Sequence, residues 1–218
     1  MSLPKVEIRP VSRARAATAR ALHEATAGEF VWIKDEAFFQ SLADRLAVVE
    51  AVAGDAIVGL CYVNSDEAGT VLEFGGVFVD EQYRSSGLSD ALGIVAIAAE
   101  FANNAPKTGA TLIAHVHEEN PKPRGLLKRL GFDPVGRDEL PAELKHNMKR
   151  RADGTVVGDR FEFDFRKCRD LAGWLERFAG NIFWKTSAPA TITHPFYAED
   201  MRDASLEALR AIAGGYRS

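Results

Sequence analysis

Val77-Phe78-Val79-Asp80-Glu81-Gln82-Tyr83-Arg84-Ser85-Ser86-Gly87-Leu88-Ser89 joins an apolar, β-branched run to a long segment rich in Ala, Leu and Ile. Upstream, Thr70 to Val79 reads as a strand. Downstream, Gly87 to Asn103 places apolar residues at helical spacing and stops at Asn103-Asn104, just before Pro106. Thr111 to His117 is the next strand. Strand, glycine-bearing turn, helix, strand is a βαβ unit, and its simplest solution lays the two strands parallel in one sheet. The turn itself suits an anion, because a helix start offers unpaired backbone N–H groups and about half a positive charge. Gly87 lets the backbone approach a phosphate oxygen, Ser85, Ser86 and Ser89 add hydroxyl donors, and Arg84 adds a permanent cation. The spacings G-x-G-x-x-G and G-x-x-x-x-G-K-[ST] are both missing, which disfavours a dinucleotide or a nucleoside triphosphate.

Working outward, Val6-Glu7-Ile8-Arg9 alternates as a short strand, and Ser12 to Ala25 reads as a helix. The aromatic-rich Phe30 to Phe39 leads into a second helix ending near Arg45. Leu46 to Val52 and Ala56 to Val63 form an antiparallel hairpin about Ala53-Gly54-Asp55. After Thr111 to His117, a helix opens at Pro121 and ends at Leu130, with Gly131 as its terminator. Gly136 to Gly154 reads as polar and irregular, apart from a helical turn over Pro141 to Met148. Phe161, Phe163 and Phe165 alternate as a strand, and Arg166 to Phe178 and Asp200 to Ile212 read as helices.

The chain has 218 residues and a net charge of −4 with mixed signs, which argues against a nucleic-acid partner. Its two cysteines, Cys61 and Cys168, lie in no C-x-x-C pair and beside no metal-ligand set, so neither zinc nor a disulfide framework is expected. The most apolar run, Ala91 to Ala99, is far short of the roughly 20 residues that span a bilayer. With no signal-like start, the expectation is a reduced, cytoplasmic setting and no membrane partner.

Arg84-Ser85-Ser86-Gly87-Leu88-Ser89 resembles the R/Q-x-x-G-x-G/A signature of the GNAT superfamily of acyl-CoA N-acyltransferases, with Ser89 where Gly or Ala is usual. Asn120 with Leu126-Leu127-Lys128-Arg129-Leu130-Gly131-Phe132 is similar to the asparagine, Leu-Tyr and Gly-Phe segment of the same family, with Leu127 in place of the tyrosine. The two elements and their strands cover roughly Val6 to Arg137. The resemblance implies an α/β (α+β) fold: a central mixed, mostly antiparallel sheet with a parallel, splayed strand pair, flanked by helices. It implies acetyl-CoA or another acyl-CoA as co-substrate, with the pyrophosphate held by Arg84, Ser85, Ser86, Gly87, Leu88 and Ser89. The pantetheine arm would pair with the backbone of Phe78 and Val79 beside Asn120, and the Val79 N–H would serve the thioester carbonyl. Residues 4–137 would be the acyltransferase core, 138–165 a loop and final core strand, and 166–218 a helical extension that could pack on the core, cover the acceptor cleft or build a homodimer interface, with packing plus dimerisation the favoured reading.

An acceptor amine with a lysine-like pKa of about 10.4 is protonated at neutral pH, and freeing its lone pair costs roughly 4–5 kcal/mol. Glu73, on the strand leading into the turn, is the candidate base, against the plainer reading of a solvent-facing strand residue. His115 and His117 share a strand face and could relay a proton or bind the acceptor, or else be hydrogen-bonded strand histidines. Leu127 leaves the general acid unassigned among Tyr83, Tyr62 and Cys61. Phe30, Trp32, Phe38 and Phe39 either roof the acceptor site or are core aromatics. The function implied is transfer of a short acyl group to a primary amine, on a small molecule or a protein. The alternative is a non-catalytic acyl-CoA sensor or interaction protein.

Overall fold

The computed structural model describes residues 5–140, 148–177, 182–183, 191–192 and 199–215. Strand β1 (Lys5–Pro10) buries Val6 and Ile8 on one side. A 3-10 turn then leads into α1 (Ala16–Thr26), and Asp35 caps α2 (Glu36–Asp44) by accepting the Phe38 N–H at 2.8 Å. The hairpin β2 (Val48–Ala53) and β3 (Ala56–Ser65) pairs antiparallel, followed by β4 (Val71–Val79), α3 (Leu88–Asn103) and β5 (Thr111–His117). Helix α4 (Lys122–Leu130) ends at Gly131, whose φ of 100° is the left-handed conformation that closes a helix C-terminus. Strands β6 (Phe132–Leu140) and β7 (Val156–Phe163) follow, then α5 (Cys168–Arg177), the two-residue strands β8 (Ile182–Phe183) and β9 (Thr191–Ile192), and α6 (Glu199–Gly215).

Among the described residues these strands form one mixed sheet in the order β6-β7-β5-β4-β3-β2-β1-β9-β8. Pairing is antiparallel except between β4 and β5 and between β1 and β9. Helices α1 and α2 cover one face, closing Ala16, Ala19, Phe39 and Leu42 over Val48, Leu60 and Tyr62. The other face carries α3 and α4. Twelve of the 16 residues of α3 are buried, because α5 and α6 close over its outer side; a helix apolar all round needs such cover. The extension thus packs on the core through α3.

Three expectations are corrected. Gly136 to Leu140 is strand, not loop: β6 continues through a bulge at Val135, where the register passes from Pro134–Phe161 to Gly136–Arg160. An edge strand tolerates the proline, the bulge and the charges that make this stretch read as irregular. Phe165 lies beyond β7 in a 3-10 turn capped by Asp164, although its ring still enters the core. The segment after residue 166 is not wholly helical, since β9 extends the sheet beside β1. The expected turn over 141–148 lies outside the described residues except for Met148, as do Phe178 and Trp184.

Candidate active site

The parallel ladder between β4 and β5 has three rungs: Val71–Thr111, Leu72–Leu112 and Glu73–Ile113. Beyond Glu73 the strands part. On its other edge, β4 carries a bulge in which Gly76 and Val77 stand opposite the single residue Cys61, and Gly76 takes φ 61°. A Cβ on Gly76 would lie 2.2 Å from the Tyr62 ring, so only glycine lets the strand bend there. The Asp80 N–H bonds Val58 O on β3 at 2.8 Å. Strand alternation therefore aims the preceding amide, that of Val79, away from β3 and toward the gap.

A cavity of about 300 Å³ occupies this wedge. Glu73, Phe78, His115, His117 and Asn120 line it, together with Phe30 and Trp32 from the segment after α1. Phe38 and Phe39 pack instead in the core beneath α1 and α2. The remaining predicted residues, Val79 at the end of β4 and Arg84 to Ser89 at the turn that opens α3, are not part of the cavity wall.

In that turn Ser85 (φ 61°) and Gly87 (φ 83°) alternate with right-handed or extended neighbours, which curls the backbone into a concave run of amides. Ser86 is buried: its hydroxyl donates to Tyr83 O and accepts the Leu88 N–H at 3.2 Å. Ser86 is thereby a fastener of the turn, and Leu88 a core residue whose amide is taken. Among the described residues the N–H groups of Gly87 and Ser89 make no hydrogen bond. Arg84 is exposed, with Nε on Val79 O at 3.2 Å. The nearby Asp90 carboxylate would repel a phosphate, but Arg129 of α4 grips it through two bonds of 2.7 and 3.1 Å. This pair also ties α3 to α4.

The two histidines of β5 differ. His117 is buried against Phe30, its Nδ1 accepts the Glu119 N–H at 3.2 Å, and its Nε2 lies 2.9 Å from Lys149 O. Each ring nitrogen thus has a backbone partner. His115 instead sits between carboxylates, with Nε2 2.8 Å from Asp138 and Nδ1 3.6 Å from Glu73. The second separation is that of an ion pair, longer than a hydrogen bond. Glu73 raises the His115 pKa, burial opposes the rise, and Asp138 adds to it. Asn120 Oδ1 accepts the Lys122 N–H at 3.3 Å, so it also starts α4.

Sequence reasoning missed Asp138. Among the acids considered earlier, Tyr62 lines the cavity but burial pushes its pKa well up, and burial does the same to the Cys61 thiol, which faces Gly75 O. His23, Nε2 3.0 Å from Trp32 O, is held below its ordinary pKa by burial. Lys34 lies over the Trp32 ring at 3.0 Å.

Residues 18–132 match the model of the acetyltransferase (GNAT) family. The chain belongs to that family. Among solved structures it is similar to the ribosomal-protein-S18-alanine N-acetyltransferase of Escherichia coli, at 16% identity and TM-score 0.51 over 72% of this chain and 92% of that one. It is similar to Arabidopsis thaliana NAA60, solved with a bisubstrate analogue, at 17% identity and TM-score 0.52 over 72% and 97%. A third likeness is to the diaminobutyrate acetyltransferase EctA of Paenibacillus lautus, in complex with its substrate and coenzyme A, at 16% identity and TM-score 0.54 over 73% and 94%. At these identities the likeness is one of fold. No curated protein sequence matches the chain.

Proposed function

We propose that this protein transfers an acetyl or other short acyl group from acyl-CoA directly to a primary amine. The observation that carries the reading is the wedge between β4 and β5, lined by titratable groups, with the glycine-bearing start of α3 following β4 in the chain. In this reading the Gly87 and Ser89 amides and Arg84 hold the pyrophosphate, with Ser85 at the rim, while Ser86 and Leu88 shape the turn. The pantetheine arm lies along Phe78 and Val79 beside Asn120, and the Val79 N–H donates to the thioester carbonyl, where negative charge grows. Glu73 takes the acceptor's proton. His117, both nitrogens occupied, anchors the wall instead of moving protons.

The family's solved members include proteins named for protein and for small-molecule amines, so both acceptor classes enter the test. Calorimetry with CoA, followed by a thiol-release screen of amines against acetyl- and succinyl-CoA, is that test. The expected result is stoichiometric binding and acceptor-dependent thiol release, with Gly87→Glu abolishing binding in a protein that keeps its circular dichroism. Binding without release across the panel would favour a sensor, and undiminished affinity in the Gly87→Glu variant would refute the pyrophosphate site.

A further inference from the structure

With Leu127 where the family's tyrosine stands, the leaving sulfur needs another proton source. We infer that His115, oriented by Asp138 of β6, protonates the departing thiolate, and that Asp138 is its positioning residue. The inference rests on the acyl-transfer reading above. Its geometry is the row Glu73, His115, Asp138, in which one ring nitrogen meets each carboxylate, at 3.6 and 2.8 Å. His115 lies two residues past the last β4–β5 rung, on the wall of the cavity that Leu127 also lines, so the ring stands where the strands have already parted.

Glu73 and, after it, Asp138 raise the His115 pKa against the opposing effect of burial, a direction that favours the protonated ring. The shorter contact is to Asp138, which fixes the Nε2–H and the ring plane. The looser contact to Glu73 leaves the Nδ1 side able to exchange a partner. Other charged or titratable groups near the ring are Arg160 of β7, which stands opposite His115 in the ladder and 3.9 Å from Asp138, and Tyr62, His23 and Lys34 around the same cavity.

The proton count closes. An ammonium acceptor loses two protons on becoming an amide. The first leaves through Glu73 to water and frees the nitrogen lone pair. The nitrogen–carbon bond then forms, the carbon–sulfur bond breaks with its electron pair going to sulfur, and the sulfur takes the His115 proton. The second nitrogen proton goes to Glu73, which returns it to His115. The products are the amide and the free thiol, and the row regains its starting state without an external acid.

The test measures steady-state kinetics across pH, together with an NMR titration of the His115 ring, in the wild type, Asp138→Asn and Asp138→Glu. Losing the carboxylate should lower kcat by about 10–100-fold, a range typical of groups that orient a reacting residue, with KM for acyl-CoA unchanged. Because a neutral amide no longer favours the imidazolium, the His115 midpoint and the basic limb of kcat should both move to lower pH. Asp138→Glu should recover part of both. An unmoved midpoint, or an unchanged kcat and basic limb, would overturn the inference. A wild type that binds acyl-CoA yet releases no thiol would sink the transfer reading and this acid role with it. In that case the ring titration still reports separately whether Asp138 holds the proton.

Discussion

Toward its start, the β4–β5 pair is an ordinary ladder; toward its end, the same two strands enclose the cavity of the proposed site. In the closed part, Leu72 and Leu112 are buried beneath α3, and Arg45 donates to Asn64 and Ser65 at its edge. In the open part the walls carry Glu73, His115 and His117, and backbone that would otherwise pair with a neighbour faces a cavity. The difference follows from one bulge and one glycine, not from a change in composition. Stability therefore resides in one half of the strand pair, and the proposed site in the other.

Replacing Leu72 by Ala tests that division most severely. Removing a fully buried side chain from the closed half should cost about 2–5 kcal/mol in chemical denaturation, while the folded fraction keeps its affinity for acyl-CoA. Loss of affinity in that fraction would show that the two halves are coupled. Gly76→Ala attacks the boundary: left-handed strain adds to a collision with Tyr62, and the sum should be about 2–4 kcal/mol with weaker acyl-CoA binding. A stable variant with unchanged binding would mean the bulge does not set the gap.

The smallest expected effect lies at the closed end. Glu100, in the last turn of α3, is fully buried, 3.9 Å from Arg45, with Oε2 lacking a partner among the described residues. Burial raises its pKa. A carboxyl whose folded pKa exceeds its unfolded value binds more protons when folded, so its contribution to stability is present at low pH and is lost as pH rises through the folded value. Glu100→Gln should therefore stabilise the protein by on the order of 1 kcal/mol at pH 8 and by less near pH 5, in parallel melts. A gain that is constant across this range would assign the effect to packing.

The βαβ unit was legible because each part carries its own signal: a β-branched strand, a glycine at the turn, a helix with clear stops. Glu73, His115 and His117 were legible as residues of its two strands, and Asn120 through the resemblance of its segment to the family's; all four line the cavity. The splay was not legible, because it depends on Gly76 meeting Tyr62 of a neighbouring strand. Nor was the difference between His115 and His117, which share a strand and a face. It comes from Asp138, 23 residues on, and Lys149, 32 residues on. Asp138 was hidden twice over, by a proline and a glycine that make its strand look like loop, and by a partner reached only across another strand.

That intervening strand has a consequence for how the protein is made. β7 is synthesised after β6 yet inserts between it and β5, so His115 and Asp138 stand two strand spacings apart, about 9–10 Å along the sheet. A nascent chain ending at Leu140 already contains both residues but lacks the spacer that sets their separation. The imidazole meets its carboxylate only once Val156–Phe163 has left the ribosome and slotted home, so the proposed proton-handling row comes together no earlier than the sheet that shelters it.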